Sequence, residues 1–146
     1  FDENVFWGGL TYNAHAFACS VALATIDVLL DEGMVENAAR LGPIMRQHQQ
    51  ALKDKHPSVK TFRNIGLFGM VDLQRDEKGT PMAPYNGTHP AMGEFNAFLK
   101  DNGLFTFCRW GSFMCNPPLC ITEEQLLECF AIIDKALDIT DAVFEG

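Results

Sequence analysis

The sequence is poor in basic residues and has no long uninterrupted apolar run. It holds 11 Lys and Arg residues against 19 Asp and Glu residues, a formal net charge of −8. Nucleic acids and anionic membrane surfaces are bound through basic patches, so this balance disfavours both as partners. Asp27, Asp31 and Glu32 interrupt the longest apolar stretch before it reaches the ~20 residues of a membrane-spanning helix. We therefore expect an acidic protein with no nucleic acid and no membrane partner.

The cysteines are odd in number, and they lack the spacing of metal ligands. The chain has five of them, and each stands in an apolar neighbourhood. An odd set of this kind is typical of buried, reduced thiols, which suit the cytosol. We expect no metal site and a cytoplasmic location. The residues concerned are Cys19, Cys108, Cys115, Cys120 and Cys129.

What the sequence does contain is enough apolar material for a folded domain. It has 146 residues, of which 47% are hydrophobic and 11% aromatic, a globular composition. The chain opens on Phe1 and places Phe6 and Trp7 close behind it, with no earlier residues for them to pack on. This opening favours a chain that is part of a larger protein.

Periodicity and turn residues predict helices that cover short strands, an α/β fold of the two-layer α+β kind. The second helix carries an apolar stripe that includes His48, which we interpret as a packing residue because no other ligand type is spaced to join it. Thr122 to Gln125 reads as a capping box that starts the last helix. The predicted helices are 13–30, 34–52, 91–102 and one after Thr122; the predicted strands are 58–65, 67–73 and 104–108, with a surface loop over 74–90.

The segment from Gly8 to Cys19 is the first candidate for a binding site. It places Thr11, Asn13 and His15 just before a small, apolar helix. A hydroxyl beside the free N–H groups of a helix start can bind a phosphate or a carboxylate. Plain helix capping by Thr or Asn is the alternative.

Arg109 is the second candidate, because it stands in a strongly apolar neighbourhood that includes Phe107, Trp110 and Phe113. An unpaired guanidinium is costly to bury and cannot lose its proton, so we expect it to have an anionic partner. A ligand carboxylate or sulfonate would suit its planar donors. The alternatives are a salt bridge within the protein or a solvent-facing edge position.

These segments resemble class III aminotransferases, which are pyridoxal-phosphate enzymes of fold type I. The resemblance rests on Gly8-Gly9-Leu10-Thr11-Tyr12, with His15 three residues later, and on Arg109 ahead of the Pro117 to Thr122 segment. It implies that Leu10 and Thr11 bind the cofactor phosphate of the neighbouring subunit in a homodimer, and that Arg109 binds the substrate carboxylate. The sequence departs from the family at Ala16, where Pro is usual, and in the short interval between Arg109 and Pro117.

The resemblance also implies a domain organisation. Residues 1–12 correspond to the tail of the large cofactor domain, 13–32 to the linking helix and 33–146 to the small C-terminal domain, with a short, mostly antiparallel sheet. The catalytic lysine should lie upstream, so this chain has no catalytic residue and should be inactive alone. Its own lysines lie on polar helix faces, an alternating strand or a loop: Lys53, Lys55, Lys60, Lys78, Lys100 and Lys135.

The implied reaction moves an amino group from a small amino acid, an ω-amino acid or an amine to a keto acid, with pyruvate as the expected acceptor, through pyridoxal phosphate. Decarboxylase or aminomutase chemistry on the same cofactor stays open. A free-standing α/β binding or regulatory module without catalysis is the alternative from another class, because short strands covered by helices also allow it.

Overall fold

The computed structural model describes residues 2–5, 8 and 11–146. The chain divides into two compact units, and the boundary in sequence lies between Met34 and Val35. Each unit is described by itself below.

The first unit contains helix α1, Ala16–Asp31. The predicted helix start at Asn13 is wrong by three residues, because Tyr12 and Ala14 have positive φ angles of 62° and 55° that a helix cannot include. His15 caps the helix instead, and its Nδ1 accepts a hydrogen bond of 3.4 Å from the Ala18 N–H. No residue of α1 is buried.

The second unit is an antiparallel sheet covered by helices. The order of the strands is β1-β2-β4-β3, and every neighbouring pair is antiparallel. This confirms the predicted α/β class with a short antiparallel sheet. The elements from Met34 onward are α2 Met34–Lys55, β1 Val59–Ile65, β2 Phe68–Leu73, α3 Pro90–Asp101, β3 Cys108–Arg109, β4 Ser112–Cys115 and α4 Glu123–Asp141.

The core lies between one face of the sheet and the helices. The apolar stripe of α2 is buried there through Leu41, Met45 and Leu52, and the ring centroids of Phe95 on α3 and Phe113 on β4 are 5.1 Å apart. Strand residues alternate between faces, so every second residue of β2 and β4 enters this core. The outer face of the sheet is left for the side chains in between, and it carries the candidate site.

Two predictions about α2 and α4 can be compared with the packing. His48 is half-buried and stacks on Phe130 with 5.3 Å between ring centroids, which agrees with a packing role. The capping box is present, because the Thr122 and Gln125 side chains each accept a hydrogen bond from the other residue's backbone N–H.

The predicted strand at 104–108 is wrong except for its last residue. Thr106 Oγ1 donates to the Met114 carbonyl at 2.6 Å, and the Met114 N–H donates to the Phe107 carbonyl at 3.0 Å. Residues 104–107 therefore run beside β4 without a regular ladder, and Phe105 is 81% exposed. The strand β4 was not predicted, because its apolar stretch is only three residues long, Phe113 to Cys115, before Asn116 and two prolines.

Candidate functional site

Thr11 lies in an exposed turn that precedes α1. The structure corrects its expected setting, since the helix begins five residues later and neither Thr11 nor Asn13 caps it. The Thr11 hydroxyl has no hydrogen-bond partner within the described part of the chain, so this donor is available to a phosphate oxygen. The predicted contact of Leu10 lies outside the described residues.

Arg109 lies on the short edge strand β3 and is exposed. The premise that it is buried is wrong, and the solvent-facing edge position is what the structure shows. Its guanidinium carbon lies 4.6 Å from the centre of the Trp110 ring, a cation–π contact. Tyr85 packs on the same indole with 4.4 Å between centroids. Among residues 11–146, no carboxylate forms an ion pair with Arg109.

Trp110 is held in a conformation that few residues adopt. Its φ angle is 53°, which is the left-handed region and is costly for a bulky side chain. The carbonyl of the following residue, Gly111, accepts a hydrogen bond of 2.7 Å from the N–H of Leu73, the last residue of β2. The same glycine lies close to the loop before α3, because a Cβ there would lie 2.9 Å from the Met82 nitrogen. The turn between β3 and β4 is thereby fixed to β2, and it determines where Arg109 and Trp110 lie.

A cavity of about 340 Å³ opens on the outer face of the sheet beside Arg109. Its floor is the outward row of β2 and β4, and its walls combine aromatic side chains, thioethers and charged groups. Such a mixture is typical of small-molecule sites, in which a few polar groups orient a ligand. The lining residues that matter below are Arg63, Asp72, Phe107, Arg109, Trp110 and Ser112.

Of the two arginines in this cavity, one forms an ion pair with a carboxylate of the described residues and the other does not. Arg63 Nη1 donates to Asp72 Oδ2 at 2.8 Å, and Ser112 Oγ donates to Asp72 Oδ1 at 2.7 Å. Asp72 therefore neutralises Arg63, whereas Arg109 keeps its full charge. Sequence reasoning missed Arg63 and Asp72; the signal was two opposite charges on strands predicted to pair, which meet diagonally across a hairpin.

A second cluster of titratable groups surrounds His56, which is 1% exposed. Its Nδ1 lies 2.6 Å from Asp141 Oδ2, and its Nε2 lies 3.0 Å from Asp134 Oδ1. Asp138 also offers an oxygen near His56 and Asp141 in the spacing of a metal site. A carboxylate oxygen lies within hydrogen-bond distance of each ring nitrogen of His56, so neither nitrogen faces an open position for a metal. The cluster is therefore a hydrogen-bond network.

Asp134 is affected by opposing influences within this network. Desolvation acts to raise the pKa of its carboxyl, but hydrogen bonds from Lys55 and His56 outweigh that effect and hold the pKa below its ordinary value of 3.8. The same contact works on Lys55, because the hydrogen bond to Asp134 raises the pKa of the ammonium. Lys55 is thus held in its charged form.

The five cysteines differ in solvent exposure, whereas the sequence predicted that all of them are buried. Cys19 and Cys120 are exposed, so the expectation that all the cysteines are buried is wrong for these two. Burial raises the pKa of the Cys115 thiol to about 12 and that of Cys108 to about 11. No cysteine of the chain forms a disulfide in the structure.

Within the described residues, no helix is long and apolar enough to cross a membrane. The lysines Lys53, Lys55, Lys60, Lys78, Lys100 and Lys135 are all exposed.

The fold is that of an aminotransferase domain. The taurine:2-oxoglutarate aminotransferase from Bifidobacterium kashiwanohense, solved with pyridoxal phosphate and glutamate, superposes on 99% of this chain with a TM-score of 0.88 and 32% identity, over 33% of its own length. The family described as aminotransferase class-III matches residues 4–137. The chain therefore belongs to the class III aminotransferases, a pyridoxal-phosphate-dependent family.

Curated relatives agree with this assignment. Gamma aminobutyrate transaminase 1 of Solanum lycopersicum, a mitochondrial protein, is 30% identical over 139 residues, which are 93% of this chain and 26% of the relative. Putrescine–pyruvate aminotransferase of Pseudomonas aeruginosa is 30% identical over 138 residues, 94% of this chain and 29% of the relative. The chain thus spans between a quarter and a third of the length of these proteins.

Proposed function

We propose that this chain is part of a class III aminotransferase that moves an amino group from a small amino acid, an ω-amino acid or an amine to a keto acid, with pyruvate as the acceptor. The observation that carries the proposal is Arg109, an unpaired guanidinium beside a cavity on the outer face of the sheet. Every keto acid brings a carboxylate that this group can bind, and every amino donor with an acid group brings a carboxylate or a sulfonate. The relatives named above include enzymes for γ-aminobutyrate and for putrescine with pyruvate.

Arg109 orients the substrate. Its planar fork can donate two parallel hydrogen bonds to one carboxylate, which fixes the direction of the bound acid as well as its position. Trp110 holds the guanidinium through the 4.6 Å cation–π contact. Tyr85 in turn packs against the indole of Trp110 and holds it in place. A stacked guanidinium loses less conformational entropy when it binds, because it is already ordered.

Thr11 serves the cofactor. Pyridoxal phosphate, when bound, supplies the electron sink on which the amino group is exchanged. In the proposed homodimer, the Thr11 hydroxyl and the backbone of Leu10 would donate to the phosphate held by the neighbouring subunit. The exposed, unpartnered hydroxyl of Thr11 supports this role.

The chain's own lysines are poor candidates for the lysine that carries the cofactor. Such a lysine needs a lowered pKa, which burial or a neighbouring cation produces. All the lysines here are exposed, and the pKa of Lys55 is raised. We place the catalytic lysine in a part of the enzyme upstream of this chain, and we expect the chain by itself to be inactive. The reduced thiols support a cytoplasmic enzyme.

The experiment replaces Arg109 by Ala in the full-length enzyme and compares two donors, an ω-amino acid and an amine without an acid group. The variant should lose about 1.5 to 3 kcal/mol in kcat/KM for the acid, the range of a charged hydrogen bond, and keep its activity on the amine. Arg75→Ala is the matched control, because Arg75 is an exposed arginine outside the cavity. Equal losses on both donors would make Arg109 structural and overturn the proposal.

A further inference from the structure

One row of side chains crosses the outer face of the sheet and sets the charge of the cavity. Asp72 on β2 is paired in register with Ser112 on β4, and Ser112 is paired with Arg109 on β3. Neighbouring strands lie about 4.8 Å apart, so the backbones of Asp72 and Arg109 are separated by about 10 Å with Ser112 between them. A carboxylate and an unpaired guanidinium therefore face the same cavity from opposite sides.

Asp72 is held on its own side of the cavity. Arg63 Nη1 binds one of its oxygens at 2.8 Å and Ser112 Oγ binds the other at 2.7 Å. Met70 lies beside the pair, since Arg63 Nη2 also donates to its sulfur at 2.8 Å. These contacts direct Asp72 toward Arg63 and leave Arg109 without a counter-ion among residues 11–146.

The cavity consequently contains two guanidinium groups, but only the positive charge of Arg109 is available to a ligand, because Asp72 neutralises that of Arg63. A ligand with one carboxylate can pair with Arg109. The second carboxylate of a longer acid would lie near Asp72, which carries the same negative charge. Arg63 could not compensate, because it is already paired with Asp72. Like charges at this distance repel, and the repulsion is moderate because the pair is partly exposed.

We propose that Asp72 is a specificity-determining residue that makes this cavity select monocarboxylates over dicarboxylates. The inference rests on the proposed role of Arg109 and narrows it: the keto acid acceptor is of the pyruvate type, and dicarboxylic keto acids are disfavoured. Arg63 and Ser112 are positioning residues in this scheme, because they act on the ligand only through Asp72.

The test measures binding of two unreactive acids, propionate and glutarate, to the full-length enzyme by isothermal titration calorimetry. In Asp72→Asn, Arg63 is released, and the dissociation constant of glutarate relative to that of propionate should fall about two- to fivefold, the range expected for a partly exposed charge pair. In Arg63→Gln, Asp72 is released toward Arg109, and both acids should bind more weakly, glutarate more so.

Glu94→Gln is the matched control. Glu94 is exposed on α3 and does not line the cavity. Its replacement by Gln removes the same charge as Asp72→Asn, so the ratio of the glutarate and propionate dissociation constants should not change. An unchanged ratio in Asp72→Asn, with a melting temperature like that of the parent, overturns the inference while the role of Arg109 stands. If Arg109→Ala binds propionate as well as the parent does, the proposed function itself fails.

Discussion

Nδ1 of His56 lies 2.6 Å from Oδ2 of Asp141, although 85 positions separate the two residues in sequence. The other oxygen of Asp141 accepts from the Ser58 N–H at 3.1 Å. One carboxylate at the end of α4 therefore fastens both the residue after α2 and the residue before β1. This contact joins the last helix to the middle of the chain through buried polar groups, whose loss is costly.

The first prediction follows from that burial. In His56→Ala, Asp134 and Asp141 lose the donor that lies between them, and the free energy of unfolding should fall by about 2 to 4 kcal/mol, because a broken buried ion pair leaves an uncompensated charge. Urea denaturation followed by circular dichroism measures the change. His48→Ala is the matched control, since His48 only stacks on Phe130. A loss no larger than that of the control would contradict the network.

This cluster also shows where sequence reasoning stops. Helices and the first hairpin could be predicted because apolar periodicity and turn residues are local signals, as in α2 and the capping box at Thr122. The contact of His56 with Asp134 and Asp141 joins residues 78 and 85 positions apart, and no local pattern records such a separation. Gln49 was missed for the same reason: it is polar, yet the packing of α2 on the sheet leaves it fully buried.

The candidate site was predictable in part. Arg109 was found because an arginine among aromatic residues is unusual, and the family resemblance gave it a role. Its exposure was one of the alternatives that the sequence left open, because no local pattern shows that Arg109 lies on a two-residue edge strand beside the turn at Trp110. Asp72 and Arg63 were missed because their contact depends on the exact register of the hairpin.

The second prediction concerns pH. The pKa of Asp134 is lowered in the folded protein by its hydrogen bonds to Lys55 and His56, against the effect of desolvation. Its stabilising contribution is therefore complete above the ordinary carboxyl pKa and is lost as the pH falls through the lower, folded value. Between about pH 6 and pH 3, the urea midpoint of the parent should decrease more steeply than that of Asp134→Asn. Asp101→Asn, at an exposed position on α3, should keep the parent's slope; identical slopes for all three would count against the prediction.

The third prediction is an order of thiol reactivity. Burial raises the pKa of Cys115 to about 12 and that of Cys108 to about 11, so at mildly alkaline pH both are almost entirely protonated and therefore unreactive. Cys19 and Cys120 are exposed and should be alkylated first. Timed N-ethylmaleimide labelling with peptide mass spectrometry gives the order. The chain unfolded in guanidinium is the control, in which all sites should react alike; Cys115 labelling as fast as Cys120 in the folded chain would refute the assignment.

The fourth prediction tests the turn that positions Arg109. A Cβ added at Gly111 would lie 2.9 Å from the Met82 nitrogen, a backbone atom that cannot move aside alone. Gly111→Ala should lower the free energy of unfolding by about 1 to 3 kcal/mol, as overpacking does, and should weaken carboxylate binding because the turn shifts.

Gly93 provides the control for that substitution. It lies inside α3, and a Cβ there would meet no atom within 4 Å. Gly93→Ala should therefore stabilise the protein by about 0.5 to 1 kcal/mol through the better helix propensity of Ala. If Gly111→Ala is as stable as the parent and binds propionate normally, the turn does not position Arg109.

The fifth prediction concerns α1, which presents large apolar side chains on more than one side. Phe17 and Val21 lie one turn apart on one side, whereas Leu23 and Leu30 share another; the exposed fractions of these residues are 74%, 50%, 64% and 65%. Contiguous exposed apolar surface of this kind favours association. At micromolar concentration, the chain should form dimers or larger species in sedimentation velocity and should bind an apolar dye.

The double substitution Phe17→Asp and Val21→Asp should shift that equilibrium toward the monomer, because it places two charges on one apolar side of the helix. Ser20→Asp with Thr25→Asp adds the same charge to the same helix without removing an apolar side chain, so any difference between the two variants reports the apolar contact alone. A parent chain that sediments as a monomer and binds no dye would show that α1 does not drive association.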